Sequence, residues 1–232
     1  MCTLEKRGNI FILTLTGPGE HRLNPNLLDE IQSALDQVRS EATSSSALIT
    51  TAHGKFFSNG YDLNWAQSYE SRTILMTSKF RSVVADLLSL PMPTISAVTG
   101  HASAAGFILA FSHDYVLMRK DRGFLYMSEL DVELPISTWF VALIKCKIGA
   151  PAARRLVLLK AAKLTAKEAV EKGIIDSAHD NAEETIAAAG RLAEQLVGKK
   201  WNGTVYAQIR GELLKEALYE IRVISTSIGS RL

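Results

Sequence analysis

Three short segments of this chain combine tight turns of small residues with polar groups. They run His53-Gly-Lys-Phe-Phe-Ser-Asn-Gly-Tyr-Asp-Leu63, Ala97-Val-Thr-Gly-His-Ala-Ser-Ala-Ala-Gly106 and Phe124-Leu-Tyr-Met-Ser-Glu-Leu-Asp-Val-Glu-Leu-Pro135. The third holds the carboxylates Glu129, Asp131 and Glu133 beside Met127, Val132, Leu134 and Pro135. A carboxylate set among apolar groups resists ionisation, so its pKa rises and it becomes able to take up a proton and return it. The first two segments are glycine turns of the kind that join a strand to a helix. Taken singly, such a turn more often serves close helix–strand packing than chemistry, and an acidic run can be a solvated loop, though one beside Met, Val, Leu and Pro is less often fully exposed.

Other reactive residue types offer less. His53, His101 and His113 are scattered, and their spacing assembles no Ser-His-Asp triad. His101, beside a turn, reads as a packing or hydrogen-bonding residue. Cys2 and Cys146 belong to no CxxC or Cys/His cluster. That argues against a zinc site or a disulfide framework and for reduced thiols in an intracellular compartment; no metal is expected. A net charge of +2 with scattered basic residues gives no bulk attraction for nucleic acid. No apolar run reaches the roughly 18 residues that span a bilayer, and the N-terminus lacks a signal-peptide layout.

The elements that must position the three segments alternate in type. Residues 9–16 carry strand alternation and stop at Gly17-Pro18-Gly19. Asn26 precedes the helical stripe Leu27, Leu28, Ile31, Ala34, Leu35 and Val38 and reads as its cap. Strands are expected at 47–51, 94–98, 115–118 and 124–126, and helices at 71–90, closed by Pro91 and Pro93, and at 107–111. From Ser137 the chain reads as mostly helical. A capping box at Thr165-Ala-Lys-Glu168 opens a helix that Gly173 ends, and two further helices fall near 182–197 and 206–221. Strands alternating with helices indicate an α/β fold. The 232 residues, 47% hydrophobic and 22% charged, fit one domain with an ample core or one domain with a helical appendage.

Together, the order of the three segments resembles the crotonase superfamily, the enoyl-CoA hydratase/isomerase family, over nearly the whole chain. Phe57-Ser-Asn-Gly-Tyr-Asp-Leu63 matches its first signature, an aromatic residue, two small residues, Gly, any residue, Asp and an aliphatic. Val98-Thr-Gly-His-Ala-Ser-Ala-Ala-Gly106 matches the second, with Asp114 at the strand-leading aspartate. Met127-Ser-Glu-Leu-Asp-Val-Glu-Leu-Pro135 fits the third apart from one residue of spacing.

The resemblance implies a spiral of repeated ββα turns over residues 1–175 and a helical oligomerisation region over 176–232, assembled as a homotrimer or a dimer of trimers. It implies an acyl-CoA substrate, no cofactor beyond the coenzyme A that the substrate carries, and an oxyanion hole made by the amides of Tyr61 and Ala105. Ala105 stands where many relatives have glycine; the amide survives the change and the methyl narrows the site. The family's hydratases use two glutamates. The first position is Ile108 here, and the second is Glu129, with Glu133 the competitor because of the spacing slip. One carboxylate suits moving a double bond from 3-enoyl-CoA to 2-enoyl-CoA better than adding water. The implied substrate-binding positions are Arg22, Ser58, Leu63, Ile108 and Trp139, with Lys55 a weaker candidate for the phosphates and Trp65 and Trp139 otherwise core residues. The rivals are a hydratase or hydrolase of the same fold and a non-catalytic acyl-CoA-binding or scaffold protein. Ser230-Arg231-Leu232 resembles the Ser-Lys-Leu address read by the peroxisomal import receptor, with the cytoplasm as the alternative compartment.

Overall fold

The computed structural model describes residues 1–17, 19–43 and 45–228, the side chains of 224–228 excepted. The Pro18 turn and the Ser230-Arg231-Leu232 terminus therefore lie outside the described residues. The chain begins with β1 (Cys2–Arg7) and β2 (Ile10–Leu15), an antiparallel pair, followed by α1 (Pro25–Glu41). Then come β3 (Ala47–Ala52), β4 (Phe56–Ser58), α2 (Leu63–Ala66) and α3 (Glu70–Ser89). A second unit is β5 (Thr94–Val98), β6 (His101–Ser103) and α4 (Ala105–Phe111). A third is β7 (Tyr115–Arg119), β8 (Leu125–Tyr126) and α5 (Thr138–Lys147). The remainder is α6 (Pro151–Leu159), α7 (Ala166–Glu171), β9 (Ser177–His179), α8 (Ala182–Gly198), α9 (Gly203–Leu213) and α10 (Lys215–Ile228).

Among the described residues the ββα unit thus occurs three times, and its two strands go to different sheets. The first strand of each unit joins the large sheet, ordered β1-β2-β3-β5-β7-β9; the second joins a small parallel sheet, β4-β6-β8. Buried on both faces, β3 and β5 read as continuous runs, Ala-Leu-Ile-Thr-Thr-Ala and Thr-Ile-Ser-Ala-Val, as parallel strands under helices must. On one side of the large sheet, Ala188, Ala189, Ala193 and Leu196 of α8 cover Ile49, Ile95 and Leu117.

Local chemistry accounts for the element ends, with some departures from the sequence reading. The cap of α1 is Asn24, not Asn26: its side chain accepts from the Leu27 N–H at 3.1 Å. Pro25 decides this, because its missing N–H and fixed φ suit the first helical position and hold the preceding residue extended. The capping box at Thr165 and Glu168 is present, and Gly173 at φ +63 follows the end of α7. Beyond residue 175 the chain is not wholly helical. β9 pairs in parallel with β7, and α8 covers the same sheet, so the layered core runs on to the end of α8. The stretch expected near 206–221 is two helices, α9 and α10, which meet at the buried Leu214.

Asp114, which leads β7, ties the tail to the core. It accepts from the Thr94 amide at 2.9 Å, the Tyr206 hydroxyl at 3.1 Å and the buried Arg210 guanidinium at 2.7 and 2.6 Å. Arg210 also donates to the carbonyls of Leu87, Leu90 and Met92, the last carbonyls of α3 and the turn after it. His113, next to this knot, is enclosed between the Leu109 carbonyl and the Thr50 hydroxyl, and burial pushes its pKa down to about 4. It is therefore a neutral structural imidazole. His101 lies against the rings of Phe56 and Phe124, as a packing residue.

Candidate active site

Because β4, β6 and β8 are parallel neighbours, their C-terminal ends emerge along one edge. Ser58 pairs with Ala102, Ala102 with Leu125 and Ser103 with Tyr126. The chain leaves those ends into Gly60-Tyr61, Ala104-Ala105 and Ser128-Glu129, so the small sheet brings the three turns singled out in the sequence to one place.

The first two turns touch. A methyl on Gly60, whose φ is +73, would lie 2.9 Å from the Ser103 carbonyl and 3.2 Å from the Ala105 nitrogen; one on Gly106 would lie 2.1 Å from the Ser58 carbonyl. Only glycine permits this approach. Leu23 then bridges the first turn: its N–H donates to the Gly60 carbonyl at 2.8 Å, and its carbonyl accepts from Asp62 at 3.2 Å. That pattern uses the residues on either side of Tyr61 and leaves the Tyr61 N–H over. Ala105 is the first residue of α4, so its N–H has no partner within the helix. Two unspent amides thus stand on adjoining turns, an arrangement suited to a carbonyl oxygen that gains charge.

Ala104, just before α4, has φ 50 and ψ −120, a conformation that favours glycine. Ala104→Gly should therefore stabilise the folded protein by about 1 kcal/mol, the strain relieved less the extra freedom of the unfolded chain. Urea denaturation of both proteins measures it.

The third turn carries the carboxylate Glu129. Val132 N–H closes on the Ser128 carbonyl at 3.1 Å and Leu134 N–H on the Glu129 carbonyl at 3.0 Å, while the Ser128 and Ser103 hydroxyls meet at 3.4 Å. These contacts hold Glu129 half-buried on the wall of a cavity of about 380 Å³. Its Oε2 is buried with no hydrogen-bond partner among the described residues. Burial holds its pKa above the usual carboxylate range, against a smaller opposing pull from its own backbone amide. Asp131 also lines the cavity but is exposed. Glu133 is exposed at φ 55 and is not on the wall.

Of the other sequence-derived positions, Arg22, Tyr61 and Leu63 line the same cavity. Arg22 is held by Glu20 at 2.6 Å. Ala105 is fully buried directly behind the lining residue Ala104. Ser58, Ile108 and Trp139 stand behind the wall. The Ser58 hydroxyl donates to the His21 carbonyl at 2.8 Å and accepts from Gly60 N–H, so it shapes the first turn. Ile108 is enclosed in the core, and Trp139 meets the wall residue Phe140 edge-on at 4.3 Å. Lys55 lies over the Phe56 ring, away from the cavity. The sequence reading missed Lys163, an exposed cation on the wall. The paired bonds between Leu125 and Leu164, both 2.9 Å, bring it there, a long-range contact with no local signature. Larger hollows of about 900 Å³ beside α5 and α10 and about 520 Å³ beside α9 include none of the three turns, and one of about 420 Å³ at the start of α1 shares Arg22 with this cavity and reaches Asp62 but holds neither Tyr61 nor Glu129.

The sequence profile described as "Enoyl-CoA hydratase/isomerase" matches residues 5–217. The chain belongs to this family. Among similar members of the enoyl-CoA hydratase/isomerase family are three Arabidopsis thaliana proteins. "Enoyl-CoA delta isomerase 1, peroxisomal" is 62% identical over 94% of this chain and 91% of its own length. "Enoyl-CoA delta isomerase 2, peroxisomal" is 54% identical, covering 97% and 99%, and "Enoyl-CoA delta isomerase 3" is 55% identical, covering 99% of each. Among solved structures, an enoyl-CoA isomerase from Mycobacterium tuberculosis in its apo form superposes with a TM-score of 0.88 at 22% identity, covering 100% of this chain and 98% of that one. An enoyl-CoA hydratase from Mycobacterium marinum gives 0.88 at 22%, covering 99% and 98%. Members of the family named for either reaction share this fold, so the backbone alone does not separate the two activities; the groups around the cavity must.

Proposed function

We propose that the protein moves the double bond of cis or trans 3-enoyl-CoA to give trans-2-enoyl-CoA, the step that readies such acyl chains for fatty-acid β-oxidation. The observation that carries this reading is a half-buried cavity carboxylate, Glu129, with an apolar Ile108 where a hydratase of the family has its other glutamate. With the thioester oxygen on the Tyr61 and Ala105 amides, Glu129 takes a proton from the α-carbon. The electrons spread as a dienolate over the acyl chain, and Glu129 returns the proton at the γ-carbon. The double bond shifts by one position and nothing else is consumed. Arg22 and Lys163 supply positive charge at the wall for the phosphates of coenzyme A. The names of the three Arabidopsis relatives support the same reading. A spectrophotometric assay with 3-hexenoyl-CoA and 2-hexenoyl-CoA tests it: 2-enoyl product forms from the first, and hydration of the second is slow or absent. Rapid hydration would favour the hydratase, and inertness toward both would favour a binding protein.

The same reading places the enzyme in peroxisomes, with the import receptor as a partner. Two relatives carry that word in their names, and Ser230-Arg231-Leu232 fits the address. Among the described residues no helix is long and apolar enough to cross a membrane. A fluorescent N-terminal fusion should be punctate and become diffuse when the last three residues are removed. Assembly as a homotrimer or a dimer of trimers is part of the proposal, supported by the apolar side chains exposed on α9, Val205, Ile209 and Leu213; sedimentation measures it.

A further inference from the structure

Tyr61 lends its backbone amide to the oxyanion turn, and its side chain lies on the cavity wall as well. The ring meets Phe80 edge-on at 5.6 Å and stacks on Phe140 at 6.2 Å, while the backbone on both sides is held by Leu23. With ring and main chain both fixed, the hydroxyl has one place to be. There its oxygen is buried and has no hydrogen-bond partner among the described residues. Glu129 Oε2, on the same wall, is in the same condition. Buried polar atoms without partners are rare because each forfeits its hydration, and two in one cavity call for a reason. On α3, the Arg81 Nε is another such atom. The charges of Arg81 and Glu129 both reach the phenol, whose ionisation burial opposes strongly, so it stays a donor. The other charged groups on the wall are Arg22, engaged by Glu20, and the exposed Asp131 and Lys163.

We propose that the Tyr61 hydroxyl is a positioning residue for the base: with an acyl chain in the cavity, it donates a hydrogen bond to the Glu129 carboxylate and holds it ionised and aimed along the reacting carbons. This rests on the reading of the site as an isomerase. A donor to the charged form lowers a carboxyl pKa and so opposes the effect of burial. The pair fixes one oxygen of Glu129 and leaves the other free to carry the proton from the α- to the γ-carbon.

Tyr61→Phe removes only the hydroxyl; the ring and the backbone amide remain. On 3-hexenoyl-CoA we expect kcat to fall about ten- to a hundredfold, the range for a hydrogen bond to a charged group. KM should stay within about twofold, since uniform binding is untouched. The acid limb of the kcat profile should move up by about one pH unit. Replacing Tyr61 with 3-fluorotyrosine, a stronger donor of nearly the same size, should move that limb down, which keeps the idea testable if Tyr61→Phe folds poorly. An unmoved limb in either folded variant overturns the proposal, and so does a rise in KM alone, which would assign the hydroxyl to the acyl chain. A ¹³C NMR titration of Glu129 in the presence of octanoyl-CoA, assigned with Glu129→Gln, reads the pair without turnover. Wild-type enzyme that fails to isomerise 3-hexenoyl-CoA would remove the isomerase reading, and this titration would still judge the Tyr61–Glu129 pair.

Discussion

Glu129→Gln is expected to lower kcat for 3-hexenoyl-CoA by about two to four orders of magnitude, the usual worth of a positioned general base. The amide keeps the size of the side chain and cannot accept the proton, so the dissociation constant for acyl-CoA should change little. Stability should move the other way. Glu129 has a raised pKa in the folded protein, so the folded state holds its proton more tightly than the unfolded one. Its contribution is therefore fully present below the ordinary carboxylate pKa and is lost as pH rises through the higher folded value. At pH 7 the ionised, half-buried group opposes folding, and glutamine removes that penalty. Thermal melts at pH 7 should show Glu129→Gln more stable than wild type, with the difference shrinking as the pH is lowered toward the carboxylate range. Retained turnover in Glu129→Gln, with loss in Glu133→Gln, would transfer the role to the exposed neighbour.

The largest stability effect should come from a residue remote from the cavity. Arg210→Met is expected to cost about 3–5 kcal/mol, the usual result of removing one partner from a buried ion pair. Arg210 is 4% exposed and engages Asp114 with two bonds, along with three carbonyls around the end of α3. Removing it leaves the Asp114 charge to the Thr94 and Tyr206 donors alone. Asp114→Asn in the same chain should recover part of the loss, because the stranded charge goes with it. Urea denaturation of the two single variants and the double variant gives the coupling directly. Equal stability of Arg210→Met and wild type would show that α9 is held by apolar contacts alone.

The parts of this structure that the sequence revealed are those written in local chemistry. The stripe of α1, the Thr165–Glu168 box and the Gly173 stop need only near neighbours, and each is found where its residues place it. Glu129, the Tyr61–Leu63 stretch and Arg22 lie far apart along the chain yet share one wall. They could be grouped in advance only through a resemblance covering three turns in order. The misread details depend on distance or on a competing residue. Asn26 gave way to Asn24 because Pro25 takes the first helical position. β9 has three residues with no alternation of burial, so only its pairing with β7 makes it a strand. Ile108 and Trp139 belong to faces turned toward the core, and spacing alone cannot distinguish the wall of a cavity from the layer behind it. Lys163 is delivered by a bridge between residues 125 and 164 that no local pattern announces.

The two amides on the adjoining turns bear on how such a protein can change over generations. An N–H group is present whatever side chain follows it, so on the proposed reading substitutions at positions 61 and 105 change what packs around the site and leave its two donors in place. Proline, which lacks the donor, is the exception. The proton-handling half, on the same proposed reading, is made of side chains, Glu129 on the 128–134 turn and the Tyr61 hydroxyl that aims it, each open to loss or relocation by one codon. A scaffold divided in this proposed way can exchange one reaction for another through a few replacements around the cavity while its backbone donors pass unaltered from ancestor to descendant.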